Sequence, residues 1–490
     1  MRIVQVASEL LPFSKTGGLA DMVGALGKYL ARGGHEVSVF TPLYRGIREL
    51  PAAAGLEPAG QPVTITLGTR PVRGALLKLN LRPRLTVYFV DQPEFFDRAG
   101  LYDEHGPAGR AAYPDNFARF VGFSRLVVEF WRQLDLRPQV VHAHDWQTGL
   151  LPLMTRHRGW YEAWESVPKS VFTIHNLAFP GRAASWEYPF VGLPWYYFCL
   201  DGCEYYGDVH SLKAGIVFAD AVTTVSPRYA EEIMTPEFGE GLDGVLRSRR
   251  AAVSGILNGV DYDVWRTNQN PHLPHGYTVK NLAGKAANKA ALQREVGLPE
   301  RPDAPLFGTV SRLELQKGVD LILDALPDLL TEGDFQYLLL GSGNDRFEAA
   351  ARDLTRQFPD RVAFRQGRDE GLAHRLEAGC DFFVMPSRYE PCGLNQMYSL
   401  RYGTVPIVRA TGGLDDSVVD AAEDPEQATG LKFQAATAEA LADAWRRALA
   451  LYAKPDQLAA YRRRGMQADF SWRRAVKNYA ALYRRLTRRG

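Results

Sequence analysis

Short apolar runs separated by amphipathic stretches set the rhythm of the chain. Residues 3–7, 37–41, 85–90, 140–143, 170–174 and 221–225 are apolar runs of buried-strand type. Between them, Leu19, Met22, Val23, Leu26 and Leu30 fall at helical spacing, and residues 116–133 and 212–219 also read as helices. Asp115 or Asn116 is the candidate N-cap of residues 116–133, and Ser226-Pro227 is the cap and first turn of another helix. Residues 55–83, rich in Pro and Gly, read as a hairpin or a mobile insertion. The rhythm restarts with strands at 306–310, 337–340, 362–364, 380–385 and 405–408. Helices are predicted from Val319, with a break or restart at Pro327, over 395–402, and over 438–451 behind Thr437 as N-cap. Strands alternating with helices throughout predict an α/β protein with parallel, doubly wound sheets. A Pro-, Asn- and His-rich stretch reaching about residue 277 interrupts the series, which puts the domain boundary at 254/255 and a hinge over 255–263.

Composition narrows the function classes. The chain has 490 residues, 46% hydrophobic and 23% charged, an ordinary globular balance long enough for two or more cores. A formal net charge of +2 argues against a nucleic-acid binder, and the basic clusters Arg247-Ser248-Arg249-Arg250, Arg462-Arg463-Arg464 and Arg484-Arg485 read as solvated helix faces. The four cysteines have neither zinc nor disulfide-framework spacing, as expected of free thiols in a reducing compartment. Met1 runs almost directly into a strand, and no apolar run reaches the ~18 residues of a membrane span. A cytoplasmic protein is expected.

The polar chemistry lies in the loops that follow strands. Glu390-Pro391-Cys392-Gly393 separates a strand from a helix start, setting an acid beside backbone N–H groups suited to an anion. Lys15-Thr16-Gly17-Gly18-Leu19-Ala20-Asp21 offers a cation and a backbone that can approach a ligand, and Thr411-Gly412-Gly413-Leu414-Asp415-Asp416 echoes it. Neither is a Walker loop. His142 and His144 face the same way on a strand, which allows metal ligation with Asp145 and His175 recruited, or packing and substrate contact. The remaining histidines, His105 among them, have no helpful spacing, and packing and substrate contact are preferred to metal ligation. His175-Asn176 sits at a strand's carboxyl end, where α/β sheets bind ligands. Arg312 and Lys317 leave another strand end and suit a diphosphate. Asp261-Tyr262-Asp263 matches a metal–diphosphate motif of some glycosyltransferases but occupies an interdomain turn. Gly341-Ser342-Gly343 is a truncated dinucleotide fingerprint with Arg346 at the third glycine position, and no G-X-S-X-G elbow occurs.

Taken together, the Lys15–Asp21 segment, His144-Asp145-Trp146-Gln147, Thr173-Ile174-His175-Asn176, Ser311-Arg312 with Gln316-Lys317-Gly318, and Glu390-Pro391-Cys392-Gly393-Leu394 resemble bacterial glycogen synthases and plant starch synthases, collinearly over about residues 2–483. The resemblance implies a GT-B fold: two Rossmann-like, doubly wound domains facing each other across a deep cleft that closes on substrate. Residues 1–254 would be the acceptor side, 255–471 the nucleotide-sugar domain, and a C-terminal helix over 472–490 would pack back on the first domain. It also implies retaining transfer of glucose from ADP-glucose to the nonreducing 4-hydroxyl of an α-1,4-glucan, with a UDP-glucose or other sugar-nucleotide transferase as the alternative. The implied catalytic residues are His175, Arg312, Lys317, Glu390 and Asp145. The implied substrate contacts are Lys15, Gly17, Gly18, Asp21, Asn176, Cys392, Gly393, Leu394, Thr411, Gly412 and Gly413, with no metal and no cofactor beyond the donor substrate. Glu314-Leu315 stands where Thr-Trp is more usual, and Asn395 where Thr is common; both bear on nucleotide selectivity.

Residue chemistry agrees with this. Breaking a glycosyl–diphosphate bond builds negative charge on the leaving oxygen, which Arg312 and Lys317 can meet without a metal. The oxocarbenium-like carbon would be stabilised by acceptors such as the His175 carbonyl or Glu390. Front-face return, with the leaving phosphate helping to deprotonate the acceptor, is preferred to a covalent glycosyl-enzyme.

Overall fold

The computed structural model describes residues 1–104, 112–162, 164 and 166–488, so His105 lies outside the described residues. Two compact units emerge, Met1–Leu257 with Trp472–Gly490, and Asn258–Ser471. The first ends at Leu257 rather than 254, because Val253–Gly255 is still a strand of its sheet and the Ile256 N–H donates to the Thr224 carbonyl at 2.8 Å.

In the first unit, ten strands of the described residues form one sheet. Its order is Val253–Gly255, Ala221–Thr224, Lys169–Ile174, Val140–His144, Arg2–Val6, Glu36–Pro42, Leu85–Asp91, Arg70–Arg82 and Glu57–Pro58, with Val63–Leu67 also paired to Arg70–Arg82. The strands from Val253–Gly255 through Leu85–Asp91 run parallel, in register such as Val4 opposite Ser38 on one side and Val141 on the other. Both faces are covered, so Val4, Val39, Phe89, Val141 and Phe172 are buried, which is why these strands read as unbroken apolar runs. Residues 55–83 are no mobile insertion: Val63–Leu67 and Arg70–Arg82 form an antiparallel hairpin, and Arg70–Arg82 extends the sheet by pairing with Leu85–Asp91.

The helix Gly18–Arg32 buries Leu19, Met22, Val23, Leu26 and Leu30, the stripe its spacing predicts. The C-terminal helix Trp472–Arg488 packs on it and buries Trp472, Ala475, Tyr479, Leu482 and Tyr483. In front of the helix Asn116–Gln133, Asp115 occupies the N-cap position but makes no side-chain cap. Its carboxylate accepts instead from Arg98, at 2.7 and 2.5 Å, a charge-assisted bidentate pairing that outcompetes a neutral N–H. Ser226 and Thr437 do cap, accepting from the N–H groups of Tyr229 at 3.0 Å and Ala440 at 3.2 Å.

The second unit is a six-stranded, all-parallel sheet ordered Val362–Gln366, Gln336–Gly343, Leu306–Leu313, Phe382–Met385, Val405–Arg409 and Leu431–Phe433. Gly341-Ser342-Gly343 ends a strand rather than forming a loop. On one face Phe307 stacks between Trp445 and Phe382, with ring centroids 4.4 and 4.9 Å away, at the centre of the main core. The helix Val319–Glu332 runs unbroken through Pro327. A proline inside a helix costs about 3 kcal/mol, but Leu326, Leu329 and Leu330 around it are all buried in that core, each contributing about 1.5–3 kcal/mol. Burial therefore outweighs the break. Numbered along the chain, the strands read 3-2-1-4-5-6, and the parallel strands from Leu85–Asp91 to Ala221–Thr224 in the first unit follow the same order. Both units are Rossmann-like. In each, the order reverses between the first and fourth of these strands, where such sheets bind ligands at the carboxyl edge.

Candidate active site

In the first unit that edge is built on two acids. Glu9, just past Arg2–Val6, is buried and accepts from the Thr16 N–H at 2.5 Å, the Thr16 hydroxyl at 2.6 Å and the Tyr102 hydroxyl at 2.8 Å, with a longer bond from the Gly17 N–H. Burial raises its pKa, partly offset by these bonds. Glu9 thus fixes the loop that presents Lys15, Gly17 and Gly18. Lys15 is half exposed and paired with Asp21 in the first turn of the helix, at 2.8 Å. A Cβ on Gly17 would meet nothing within 4 Å, so the chain leaves open space above this backbone.

The second acid, Asp145, follows Val140–His144. Its backbone takes φ 57° and ψ −177°, a conformation that costs a non-glycine residue on the order of 1–3 kcal/mol. Three bonds hold it there: its N–H donates to the Thr173 carbonyl at 2.9 Å, and Oδ1 accepts from the N–H groups of His175 at 2.6 Å and Asn176 at 3.4 Å. Asp145 therefore sets the path of the backbone that carries His175. It keeps some solvent contact, yet the protein mass around it pushes its pKa up to about 7; the two N–H bonds oppose this, and the Glu9 charge adds to it. The His175 ring is buried, which lowers its pKa to about 3 and keeps it neutral.

In the second unit, Arg312 is the penultimate residue of the strand Leu306–Leu313, Lys317 ends the 3-10 turn after it, and Glu390 follows Phe382–Met385 across the reversal point. Lys317 Nζ donates to Glu390 Oε2 at 2.7 Å, and the Ser387 hydroxyl donates to the same oxygen at 2.9 Å. Arg312 is held by Glu314 at 2.7 Å and Gln316 at 3.3 Å. The two loops are sewn together by the Arg388 N–H on the Gln316 carbonyl at 2.8 Å, and Gly318, at φ 66°, lets the Pro386 carbonyl approach where a Cβ would lie 2.2 Å away. The Gly413 N–H donates to the Glu390 carbonyl at 3.1 Å. Gln396 Nε2 reaches the carbonyls of Cys392 and Gly393 at 3.0 Å each, and Ser417 Oγ, also at 3.0 Å. Burial pushes the Cys392 thiol up to about 12, so this residue offers its backbone and not a thiolate. Leu394 is the N-cap of the helix Asn395–Tyr402, and Asn395 donates to the Val310 carbonyl at 2.8 Å.

The candidate residues thus gather into two sets. Glu9, Lys15, Gly17, Gly18, Asp21, Asp145, His175 and Asn176 line the carboxyl edge of the first sheet. Arg312, Lys317, Glu390, Cys392, Gly393, Leu394, Thr411, Gly412 and Gly413 line that of the second. Glu9, Ser387 and Gln396 were not foreseen, although an acid past a buried strand is a signal for Glu9 and an amide after a loop glycine is one for Gln396; Ser387 carries no such signal. His142 packs beside His144, with ring centroids 4.1 Å apart, and is bonded to Tyr483 and Thr173 at 2.7 and 2.5 Å. Among the described residues, no three of His, Cys, Asp and Glu are grouped to hold a metal ion, and no helix is long and apolar enough to cross a membrane.

Comparison with known proteins bears on the same surfaces. A family profile described as the starch synthase catalytic domain matches residues 2–248, and one described as glycosyl transferases group 1 matches residues 293–465. The glycogen synthases of an Anaeromyxobacter species and of Myxococcus xanthus are 48% and 47% identical, each over 99% of this chain and 99% of their own. The catalytic domain of starch synthase IV from Arabidopsis thaliana, bound to ADP and acarbose, superimposes with a TM-score of 0.89 at 34% identity, over 99% of both chains. A sucrose-phosphate synthase from Thermosynechococcus elongatus shares the fold at a TM-score of 0.61 and 20% identity, over 100% of both chains. Fold and site together define a glycosyltransferase of the GT-B class. Within that class, the chain belongs to the glycogen synthase and starch synthase family.

Proposed function

We propose that the enzyme transfers glucose from ADP-glucose to the nonreducing 4-hydroxyl of an α-1,4-glucan, with retention and without a metal. The observation that carries this reading is the Lys317–Glu390 pair at 2.7 Å, set at the strand reversal point beside Arg312 in a member of this family. One cation and one carboxylate side by side suit a ligand with both a diphosphate and a polyol. Arg312 and Lys317 take up the charge that develops on the leaving phosphate, where a fixed donor is worth about 10²–10³ in rate. Glu390 holds sugar hydroxyls, and the backbone N–H groups of Cys392, Gly393 and Leu394 lie along sugar and phosphate. The residues of the first unit act on the transferred sugar and the acceptor: His175 contacts the glucose, and Lys15, Gly17, Gly18, Asp21 and Asn176 border it.

With no carboxylate assigned as a nucleophile, the acceptor hydroxyl attacks from the face the phosphate leaves, and the departing phosphate receives its proton. An acceptor such as the His175 carbonyl or the Glu390 carboxylate stabilises the oxocarbenium-like carbon. ADP as the nucleotide is supported by the ADP-bound starch synthase IV, similar over 99% of this chain. A cytoplasmic setting agrees with four cysteines that form no disulfide. The test is transfer of radiolabelled glucose to glycogen from ADP-glucose and UDP-glucose in parallel, compared as kcat/KM. ADP-glucose is expected to be the better donor, and a clear UDP-glucose preference would overturn the assignment.

A further inference from the structure

Beside His175 lies a second histidine for which the reaction so far has no use. His144 ends the strand Val140–His144, is buried, and places Nδ1 3.2 Å from His175 Nε2. Its other nitrogen, Nε2, is also buried and has no hydrogen-bond partner among the described residues. His142 packs against its ring at 4.1 Å between centroids, tilted by 34°, and His142 is itself held by the Tyr483 hydroxyl of the C-terminal helix on Nδ1 and by Thr173 on Nε2. The backbone of His144 is locked as well, since Thr148 Oγ1 accepts from its N–H at 2.6 Å and donates to its carbonyl at 2.8 Å.

Two neutral imidazoles sharing one hydrogen bond have two ways to arrange their protons. If His175 donates from Nε2, neutral His144 carries its own proton on Nε2, and a buried N–H is left without an acceptor. If His144 donates from Nδ1, only a lone pair is left unfilled at its Nε2. The first arrangement is the costlier, because orphaned buried N–H groups are the rarer and more expensive defect. Burial keeps both rings neutral, so a doubly protonated ring does not intervene. With His144 as donor, His175 accepts at Nε2 and must carry its proton on Nδ1. That nitrogen has no partner among the described residues.

We propose that His144 is a positioning residue that holds His175 in the Nδ1–H tautomer, so that the open edge of His175 meets the sugar as a hydrogen-bond donor. The proposal rests on the reading of His175 as a contact of the transferred glucose and states what kind of contact it makes. A ring nitrogen's protonation is set by the bond its partner nitrogen makes, and loss of such a supporting residue costs about 10–100-fold in analogous metal sites.

The tautomer is measured first, by long-range proton–nitrogen NMR of the full-length protein labelled at histidine ring nitrogens, with His144→Asn and His175→Asn used for assignment. His175 is expected to be protonated at Nδ1 and bare at Nε2 between pH 6 and 9; the reverse would overturn the proposal. Kinetics supply the second reading. His144→Leu fills the space without a donor, whereas His144→Asn keeps an N–H near the Nδ1 position. The Leu variant should lose at least about tenfold in kcat with KM for ADP-glucose little changed, and the Asn variant should recover most of it. Equal losses that track thermal stability would reduce His144 to a packing role and overturn the proposal. His175→Ala separates the two layers: wild-type turnover there removes His175 from the reaction and the positioning role with it. An inactive His175→Ala beside the inverted tautomer overturns the positioning role alone.

Discussion

The chain uses Thr-Gly-Gly twice, and the two copies are needed for opposite reasons. In Thr16-Gly17-Gly18 the backbone of Gly17 is extended, at φ −153°, which any residue adopts, and an added Cβ would meet nothing within 4 Å. In Thr411-Gly412-Gly413, Gly412 sits at φ 45°, and a Cβ on it would lie 2.0 Å from the Glu390 carbonyl. A Cβ on Gly413 would lie 2.0 Å from the Cys392 carbonyl. The second pair is required by the protein itself, because the loop carrying Glu390 and Cys392 rests on it. In the first, no contact among the described residues requires Gly17. What Gly17 leaves open is room for something else, and Glu9 holds the loop in place while that room is kept.

The sharpest test of this contrast is a matched pair of alanine substitutions. Gly413→Ala must push the Glu390–Cys392 loop, so it should cost about 1–3 kcal/mol in stability. It should also lower turnover by about 10²-fold, the usual penalty for displacing a site by an ångström. Gly17→Ala should leave stability within about 0.5 kcal/mol while lowering turnover about tenfold through ligand clearance alone. Urea denaturation and initial rates on both variants decide it. A destabilised Gly17→Ala, or one with full activity, would break the comparison.

Next in size, Lys317→Ala and Glu390→Ala address what the second loop carries rather than what supports it. Each should lower turnover by at least about tenfold with the fold intact by circular dichroism, a floor below the usual cost of a lost transition-state contact. The two should differ in kind: Lys317→Ala should weaken ADP as an inhibitor, and Glu390→Ala should spare it. Equal weakening would mean that charge and sugar recognition are not divided between the pair.

Much of this was legible beforehand, for reasons that also explain what was not. The parallel strands announce themselves because both faces are buried, and the loops after them carry Lys15, His175, Arg312, Lys317 and Glu390 in plain view. Pro327 misled because local propensity cannot weigh Leu326, Leu329 and Leu330 against the core of the second unit. Glu9 looks like any acid after a strand until the fold turns Thr16 and Tyr102 onto it. The Tyr483 hydroxyl on His142 joins residues from opposite ends of the chain, and no local pattern reveals such a contact. The link of His144 to His175 needed the pairing of two adjacent strands, Val140–His144 and Lys169–Ile174.

A smaller effect separates the two acids that organise the first unit from the paired acid of the second. No Lys or Arg bonds Asp145 among the described residues, and its folded pKa of about 7 lies above the ordinary carboxylate value of 3.8. Between those values the folded state holds the proton more tightly than the unfolded one. The contribution of Asp145 is thus fully present below about pH 4 and is lost as pH rises through about 7. Asp145→Asn keeps the Oδ1 acceptor and cannot ionise. The stability of wild type minus that of Asp145→Asn should fall from pH 4.5 to pH 8, as read from urea midpoints at each pH. A flat or rising difference would mean that the two N–H bonds outweigh burial.

The last effect is expected to be nil, which makes it the most exposed. If the cations of the second loop supply the charge the reaction needs, chelation should change nothing. The one segment that could argue otherwise is Asp261-Tyr262-Asp263, and its residues are used in building the turn. Asp261 Oδ1 accepts from the Asp263 N–H at 3.1 Å and its carbonyl from the Trp265 N–H at 2.8 Å. Tyr262 donates to the Ala468 carbonyl at 3.2 Å, accepts from the Phe470 N–H at 3.0 Å, and has Arg401 over its ring at 4.3 Å. A guanidinium packed against the middle residue is a poor neighbour for a divalent cation. Initial rates after dialysis against EDTA should match those with added magnesium or manganese. A loss on chelation that either metal restores would return Asp261 and Asp263 to the reaction and leave the cationic pair as a binding device alone.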